Sequence, residues 1–197
     1  MTLYKNKYRV ESIRLKNYDY GKPGVYFITI VTHNRQCLFG IIENDKMQLY
    51  DGGKIAQLCW LNIPNHFPHA QLDEFVILPN HILGIIILND IANDQNKMNN
   101  VGTQNIVETQ KIVSLQQKNS FQHIIPGSIG SVVRGFKIGV TKWFRQHTNI
   151  NTVWQRNYYE HIIRNDEEFF RIRQYIINNP TKWKTDKNYE NVVFHKM

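Results

Sequence analysis

Two apolar runs that stand only three residues apart constrain the fold of this chain more than any other feature. Leu72–Leu78 and Ile82–Leu88 flank Pro79-Asn80-His81. Branched and aromatic side chains suit a pleated sheet, and so short a connection joins strands that run in opposite directions. The sequence therefore predicts an antiparallel pair.

Further strands are expected on both sides of this pair. Val25–Thr32 is a β-branched and aromatic run that follows a Gly-Lys-Pro-Gly turn signal. A hairpin is expected where Glu43-Asn44-Asp45 separates two short runs, and a late segment is expected to be a strand or extended: Leu38–Ile42, Lys46–Tyr50 and Val153–Ile163.

Three helices are predicted from apolar spacing and capping residues. The first begins at Asp51 as N-cap, and the second begins at Ser128 and is amphipathic with basic residues on its polar side. The third runs from about Asp166 to Asn178, behind Asn165 as cap, and stops near Pro180. This order predicts an α+β fold in which helices cover a mostly antiparallel sheet.

Length and charge set limits on domain number and partners. A chain of 197 residues without strong bias predicts one domain over residues 1–197. The formal charge is +8 and the pI is about 9.5, which favours polyanionic partners. Two isolated cysteines, and no signal peptide or membrane-length apolar run, predict a cytoplasmic protein that does not use a membrane.

One long segment interrupts this pattern. Residues 89–125 are dominated by polar side chains and are too long for an ordinary connection within a domain. We expect a flexible insertion there.

His81 and Tyr175 are the residues with the clearest chemical potential. In a strand, His81 and residue 83 point to the same face, where two histidines would chelate a divalent ion, but this chain has Leu83. Tyr175 and Asn179 are four residues apart in the predicted helix and would share one face. From the pattern alone, the favoured interpretations are that His81 is a hydrogen-bonded turn residue and that Tyr175 packs against the core.

Basic and aromatic residues suggest a nucleic-acid surface. Tyr158 and Tyr159 could stack on bases, although adjacent strand tyrosines more often place one ring in the core and one at the surface. A phosphate track, or alternatively a solvated helix face, is formed by Arg134, Lys137, Lys142, Arg145, Arg156 and Arg164.

Five blocks of this sequence resemble the REP-associated tyrosine transposases and the related single-tyrosine HUH insertion-sequence transposases. The blocks occur in the family's order and span nearly the whole chain outside the polar segment. The Pro-Asn-His block alone is moderately specific, and its combination with Trp-Gln-Arg and Tyr-x-x-x-Asn-Pro is strong. They are YFITIVTHN at 26–34, EFVILPNHILGIII at 74–87, GSVVRGFKIGVTKWF at 130–144, VWQRNYYEHIIRN at 153–165 and YIINNP at 175–180.

The resemblance implies a ferredoxin-like (RRM-like) sheet and a DNA transposition activity. The family binds hairpins or palindromic repeats in single-stranded DNA, with Mg²⁺ or Mn²⁺ as cofactor, and acts as monomer or homodimer. Tyr175 matches the nucleophile that forms a 5′-phosphotyrosyl link. His81 matches the first histidine of the metal motif and Asn179 the polar helix residue that completes the metal site.

Leu83 departs from the family pattern, because it stands where the second histidine belongs. A leucine has no lone pair, so metal affinity should fall severely. Three explanations fit the sequence: a decayed or domesticated copy that still binds DNA, an introduced inactivating substitution, or a site rescued by His161 or Glu160.

Three functions follow from these observations. The first is a metal-dependent transposase that cleaves and rejoins DNA, impaired to some degree by Leu83. The second is a catalytically inactive DNA-binding protein on the same scaffold. The third is an RNA-binding RRM-like protein, against which the absence of a paired-aromatic RNP1 pattern counts.

Overall fold

The secondary structure matches the predicted order of strands and helices. The computed structural model describes residues 22–90 and 125–185, and the backbone of a short antiparallel pair formed by Leu3–Tyr4 (β1) and Tyr8–Arg9 (β2). The remaining strands are Gly24–Val31 (β3), Gly40–Glu43 (β4), Lys46–Leu49 (β5), Ala70–Ile77 (β6), His81–Leu88 (β7) and Tyr159–Ile163 (β8). The helices are Asp51–Leu61 (α1), Ile63–His66 (α2), Ile129–His147 (α3) and Asp166–Ile177 (α4), with short 3-10 helices at His33–Arg35 and Pro180–Thr185.

Four of these strands form one antiparallel sheet in the order β6-β7-β3-β8. Taken with α1 and α3 between them, the four strands give a βαββαβ chain order, and the first strand lies between the third and the fourth. This is the ferredoxin-like arrangement, so the predicted α+β class is confirmed. The predicted hairpin, β4–β5, pairs separately, and Asn44 and Asp45 at its turn have positive φ angles of 50° and 60°.

Helices α1 and α3 cover one face of the sheet. Side chains that alternate along β3 and β7, such as Tyr26, Ile28 and Ile86, are fully buried in this larger core. Trp60 of α1 lies directly over Gly84, where an added Cβ would come within 2.3 Å of the indole. Glycine at this position therefore allows the helix to approach the sheet closely.

Helix α4 covers the opposite face with a smaller apolar cluster. Leu83 and Ile85 from β7 pack there with Ile172 and Ile176 from α4. The 3-10 helix that follows α4 adds Trp183, which is also buried. The helix that carries Tyr175 is thus fixed to the sheet by apolar contacts that the 3.6-residue period of α4 places on one side.

Two helix starts confirm the sequence analysis and one corrects it. The Ser128 hydroxyl accepts a hydrogen bond from the Ser131 amide at 3.3 Å, and the Asn165 side chain accepts one from the Glu168 amide at 2.8 Å. Asp51 is not an N-cap but the first helical residue. Its carboxylate instead pairs with Lys54 at 3.0 Å.

The proposed insertion at 89–125 lies outside the described residues except for 89, 90 and 125. Within the described ranges, no helix has both the length and the apolar character needed to cross a bilayer.

Candidate active site

The strand register places His81 and Leu83 on one face of the sheet. His81 lies opposite Val31, and Leu83 lies opposite Thr29. Because directly opposite residues in an antiparallel pair share a face, these four side chains project toward the α4 side. The expectation that residues 81 and 83 point the same way is met.

His81 is enclosed rather than open to solvent. Its side chain has no exposed surface, and its ring stacks on Trp183 with the ring centroids 5.8 Å apart. The Nδ1 atom lies 2.8 Å from Oδ1 of Asn80. Since an amide oxygen only accepts hydrogen bonds, Nδ1 carries the proton and Nε2 carries the lone pair. Nε2 is thus the atom that could coordinate an ion.

Leu83 belongs to the apolar core between the sheet and α4. It is 2% exposed and lies in the same cluster as Ile172 and Ile176. A hydrocarbon side chain in this position supplies no ligand, and it fills the space beside His81 with a group that excludes water.

Asn179 retains a donor atom but not the predicted helical position. Helix α4 ends at Ile177, and the Asn179 amide donates to the Ile176 carbonyl at 3.2 Å within the following turn. The four-residue helical spacing from Tyr175 therefore does not apply. Asn179 is 2% exposed, and its buried Oδ1 has no hydrogen-bond partner among the described residues, which is unusual for an interior amide.

These residues do not form an adequate site for a resident divalent ion. His81 and Asn179 offer one nitrogen and one oxygen, and the residue expected as a third ligand is Leu83. In the part of the chain that the structure describes, no group of three or more His, Cys, Asp or Glu residues is arranged to hold a metal. Two neutral donors, one of them beneath a tryptophan, lack the carboxylate that normally anchors Mg²⁺ or Mn²⁺ and leave most of the coordination shell to water and phosphate oxygens.

Neither proposed replacement ligand can complete a site at His81. Glu160 lies opposite Ile28, whose side chain is in the larger core, so Glu160 points to the other face. His161 lies opposite Phe27, four residues along β3 from Val31. That offset is roughly 14 Å along the strands and roughly 10 Å across them, too far for two imidazoles to share one ion. Moreover, His161 Nε2 lies 2.8 Å from Glu168.

Tyr175 lies at the surface rather than in the apolar stripe of α4. It is 42% exposed, whereas Ile172 is 8% and Ile176 0% exposed. Its ring meets Phe27 edge-on, with centroids 6.2 Å apart. The phenol is thus supported by the sheet and remains accessible from outside.

Helix α4 is held at both edges of the sheet by polar side-chain contacts. Near its start, Glu168 bonds His161 of β8, and the Arg173 guanidinium lies 2.7 Å from Asp73 of β6. The hydrogen bond from His161, followed by one from the Arg164 amide, lowers the pKa of Glu168. These contacts fix the direction in which α4 presents Tyr175.

Most of the predicted phosphate-binding residues are exposed. The exposed members are Arg134, Lys142, Arg145, Arg156 and Arg164. Lys137 differs, because its ammonium donates to the Gln155 carbonyl at 2.8 Å and lies 5.9 Å from the centre of the Trp154 ring. Burial lowers the pKa of Lys137 to about 8, so its charge is partly lost in mildly alkaline solution.

The tyrosine pair at the start of β8 divides as expected, although Tyr158 immediately precedes the strand. Tyr158 packs against the larger core, and Tyr159 is 48% exposed. Sequence reasoning missed Trp183, the aromatic residue that covers His81. The sequence does offer one indication of its burial. Trp183 is the single large apolar side chain in the polar segment Thr-Lys-Trp-Lys-Thr, and such a side chain is usually buried.

Comparison with solved structures defines the fold class. A REP-associated tyrosine transposase bound to a REP hairpin matches with a TM-score of 0.56 over 90% of this chain and 77% of the transposase, at 18% identity. The described part of this chain therefore has the fold of a REP-associated tyrosine transposase.

Comparison with known sequences defines the family. An uncharacterised protein from Haemophilus influenzae is 47% identical over 179 residues, which cover 90% of this chain and 92% of the relative. The chain belongs to the same family as this H. influenzae protein. No family model matches the sequence.

Proposed function

We propose that this protein binds hairpin-containing single-stranded DNA on a transposase scaffold, and that its capacity for metal-dependent cleavage is impaired or lost. The observation that carries the proposal is the burial of Leu83 between β7 and α4, beside a His81 that is covered by Trp183. Residue 83, where the resemblance expects a metal ligand, is part of the apolar core, whereas the surface that could contact DNA is basic.

Charge and exposure support DNA as the partner. Arg134, Lys142 and Arg145 are exposed on α3, and the whole chain carries a formal charge of +8. Contacts between such side chains and phosphates release counterions, so affinity should fall as salt rises. The match to a transposase bound to a REP hairpin supports a hairpin as the ligand.

Retained cleavage through Tyr175 is the second candidate, and its surface position favours it. The phenol oxygen would attack a DNA phosphorus, so that a phosphotyrosyl ester forms and the bond from phosphorus to the 3′-oxygen breaks. The tyrosine proton passes to water, and the leaving 3′-oxygen takes up a proton. At an ordinary tyrosine pKa near 10 this reaction needs activation, and the two donor atoms of His81 and Asn179 are insufficient for a metal to supply it.

Binding of a fluorescent hairpin and of a linear oligonucleotide of the same composition tests the proposal. We expect tighter binding of the hairpin and a loss of affinity between 50 and 200 mM salt of about 10³-fold for six phosphate contacts. Arg134→Ala should weaken binding, while Lys46→Ala is the control, because Lys46 is an exposed basic residue on the separate β4–β5 hairpin and outside this set. Equal affinity for the two oligonucleotides would refute hairpin recognition.

Covalent adducts separate the two candidates. The protein is incubated with hairpin DNA and saturating Mg²⁺ or Mn²⁺ and then denatured before electrophoresis. We expect no adduct. An adduct that disappears in Tyr175→Phe would establish the second candidate, and one that survives this substitution would exclude Tyr175 as nucleophile.

A further inference from the structure

Two exposed tyrosines flank one phenylalanine on the α4 side of the sheet. Phe27 of β3 meets Tyr159 of β8 with ring centroids 6.5 Å apart and Tyr175 of α4 with centroids 6.2 Å apart, both edge-to-face. Phe27 itself packs against the smaller core. Phe27 therefore supports both tyrosine rings on their sheet side, while Tyr159 remains 48% exposed and Tyr175 remains 42% exposed.

The exposure of both rings calls for an explanation, because the apolar side chains beside them on this face are almost completely buried. Leu83, Ile85 and Ile176 on the same side of the sheet are at most 2% exposed. Aromatic side chains fixed by neighbours and open on one side are the form that base-stacking residues take in proteins that bind single strands.

The register brings Tyr159 close to Leu83, the position where the family resemblance expects a metal ligand and, beside it, the reacting phosphate. Tyr159 lies opposite Thr29, which on its other side lies opposite Leu83. The three residues form one row, so Tyr159 is two strand spacings, roughly 10 Å, from Leu83. Stacked nucleotides rise by about 3.4 Å each, so a base about three steps from that phosphate would reach Tyr159.

Charge on β8 favours a nucleic acid over an apolar partner. β8 is an edge strand, and the exposed residues Arg156 and Arg164 precede and follow it. A strand of DNA that crosses this edge would meet a guanidinium on each side of the tyrosine.

We propose that Tyr159 stacks on a base of the unpaired DNA that flanks the hairpin, and that it guides this strand toward Tyr175. The inference rests on the proposed hairpin binding and extends it, because it assigns the flanking single strand to a specific ring. Stacking on one face of a base tolerates any sequence, so Tyr159 would contribute affinity and position rather than sequence specificity.

Hairpins with and without an unpaired flank test this assignment. The flank carries 2-aminopurine at one position at a time, whose fluorescence is quenched by stacking. For wild type we expect quenching at one flank position and tighter binding of the flanked hairpin. Tyr159→Ala should abolish the quenching and weaken binding of the flanked hairpin about ten-fold or more, with unchanged affinity for the bare hairpin.

Matched variants identify the cause of any loss. Tyr159→Phe keeps the ring and should keep both quenching and affinity, while Tyr50→Ala removes an exposed tyrosine far along the chain and should change neither. Quenching that persists in Tyr159→Ala, or an equal loss for flanked and bare hairpins, would overturn the inference. A Tyr159-dependent preference for an RNA flank over DNA would overturn the assignment to DNA. Failure of wild type to bind the bare hairpin would instead refute the proposed function.

Discussion

The α4 side of the sheet has two regions with opposite character. Around His81, Leu83 and Trp183 the side chains are at most 5% exposed and packed as a core. Around Phe27, the rings of Tyr159 and Tyr175 are supported but open. From this difference we expect the predicted nucleophile and the predicted metal site to respond separately to substitution, since Leu83 is buried in one region while Tyr175 is exposed in the other.

The largest effect should come from Leu83→Ala in the closed region. Removing a fully buried leucine side chain leaves a cavity and should lower the free energy of unfolding by about 2–5 kcal/mol. Tyr175→Phe in the open region should change it by less than about 0.5 kcal/mol. Urea unfolding monitored by tryptophan fluorescence measures both. Similar values for the two variants would contradict the distinction between the regions.

Leu83→His should convert the closed region into a metal site. Without metal, a polar ring among apolar neighbours should destabilise the fold by about 1–3 kcal/mol. With Mn²⁺ at a hundred times its dissociation constant, binding should restore about 2.7 kcal/mol, seen as a rise in Tm. Leu83→Met is the control, because it keeps the volume and adds no nitrogen ligand. If metal does not change the Tm of Leu83→His, a metal ion cannot reach His81.

Arg173→Ala tests how α4 is held in the direction that presents Tyr175. The Arg173–Asp73 pair is partly exposed, at 38% and 21%, and should contribute about 0.5–1 kcal/mol to stability. The Lys54–Asp51 pair, exposed at 62% and 76%, should contribute almost nothing and serves as reference. Double-mutant cycles measure the two coupling energies. Equal couplings would mean that Arg173 has no special part in fixing α4.

The smallest effect should depend on pH. Because His161 lowers the pKa of Glu168, the stabilisation from this carboxylate is present above its ordinary value of 4.5 and is lost as pH falls through the lowered folded value. Glu168→Gln should therefore reduce stability at neutral pH and flatten the decline below pH 4.5. Thermal unfolding from pH 7 to 3 monitors this. If stability declines at acidic pH in Glu168→Gln as it does in wild type, the Glu168–His161 contact is not the cause of that decline.

Much of the fold follows from local sequence signals. The short Pro79-Asn80-His81 connection between two apolar runs predicts the antiparallel pair of β6 and β7, and Ser128 and Asn165 mark two helix starts. Because side chains alternate between the two faces of a strand, His81 and Leu83 then share one face. What local signals cannot provide is strand order, which depends on packing between segments more than a hundred residues apart.

The candidate site was predictable only in part for the same reason. Spacing alone pairs Tyr175 with Asn179, yet α4 ends between them and leaves one at the surface and the other buried. The contact between Trp183 and His81, and the shared support that Phe27 gives to two tyrosines, join residues with no common sequence pattern. Such contacts are set by the tertiary fold.

The position of β3 between β7 and β8 also has a consequence for folding. β3 ends at Val31, but its partner β8 begins at Tyr159, so this pairing closes a chain segment of well over a hundred residues. During synthesis, β3, β6 and β7 can associate long before β8 leaves the ribosome. Because closure entropy grows only with the logarithm of loop length, the polar residues between β7 and α3 add little to this penalty. The aromatic surface is consequently the last part of the sheet to assemble, and a nascent chain cannot present the proposed DNA-binding surface until β8 and α4 have been synthesised.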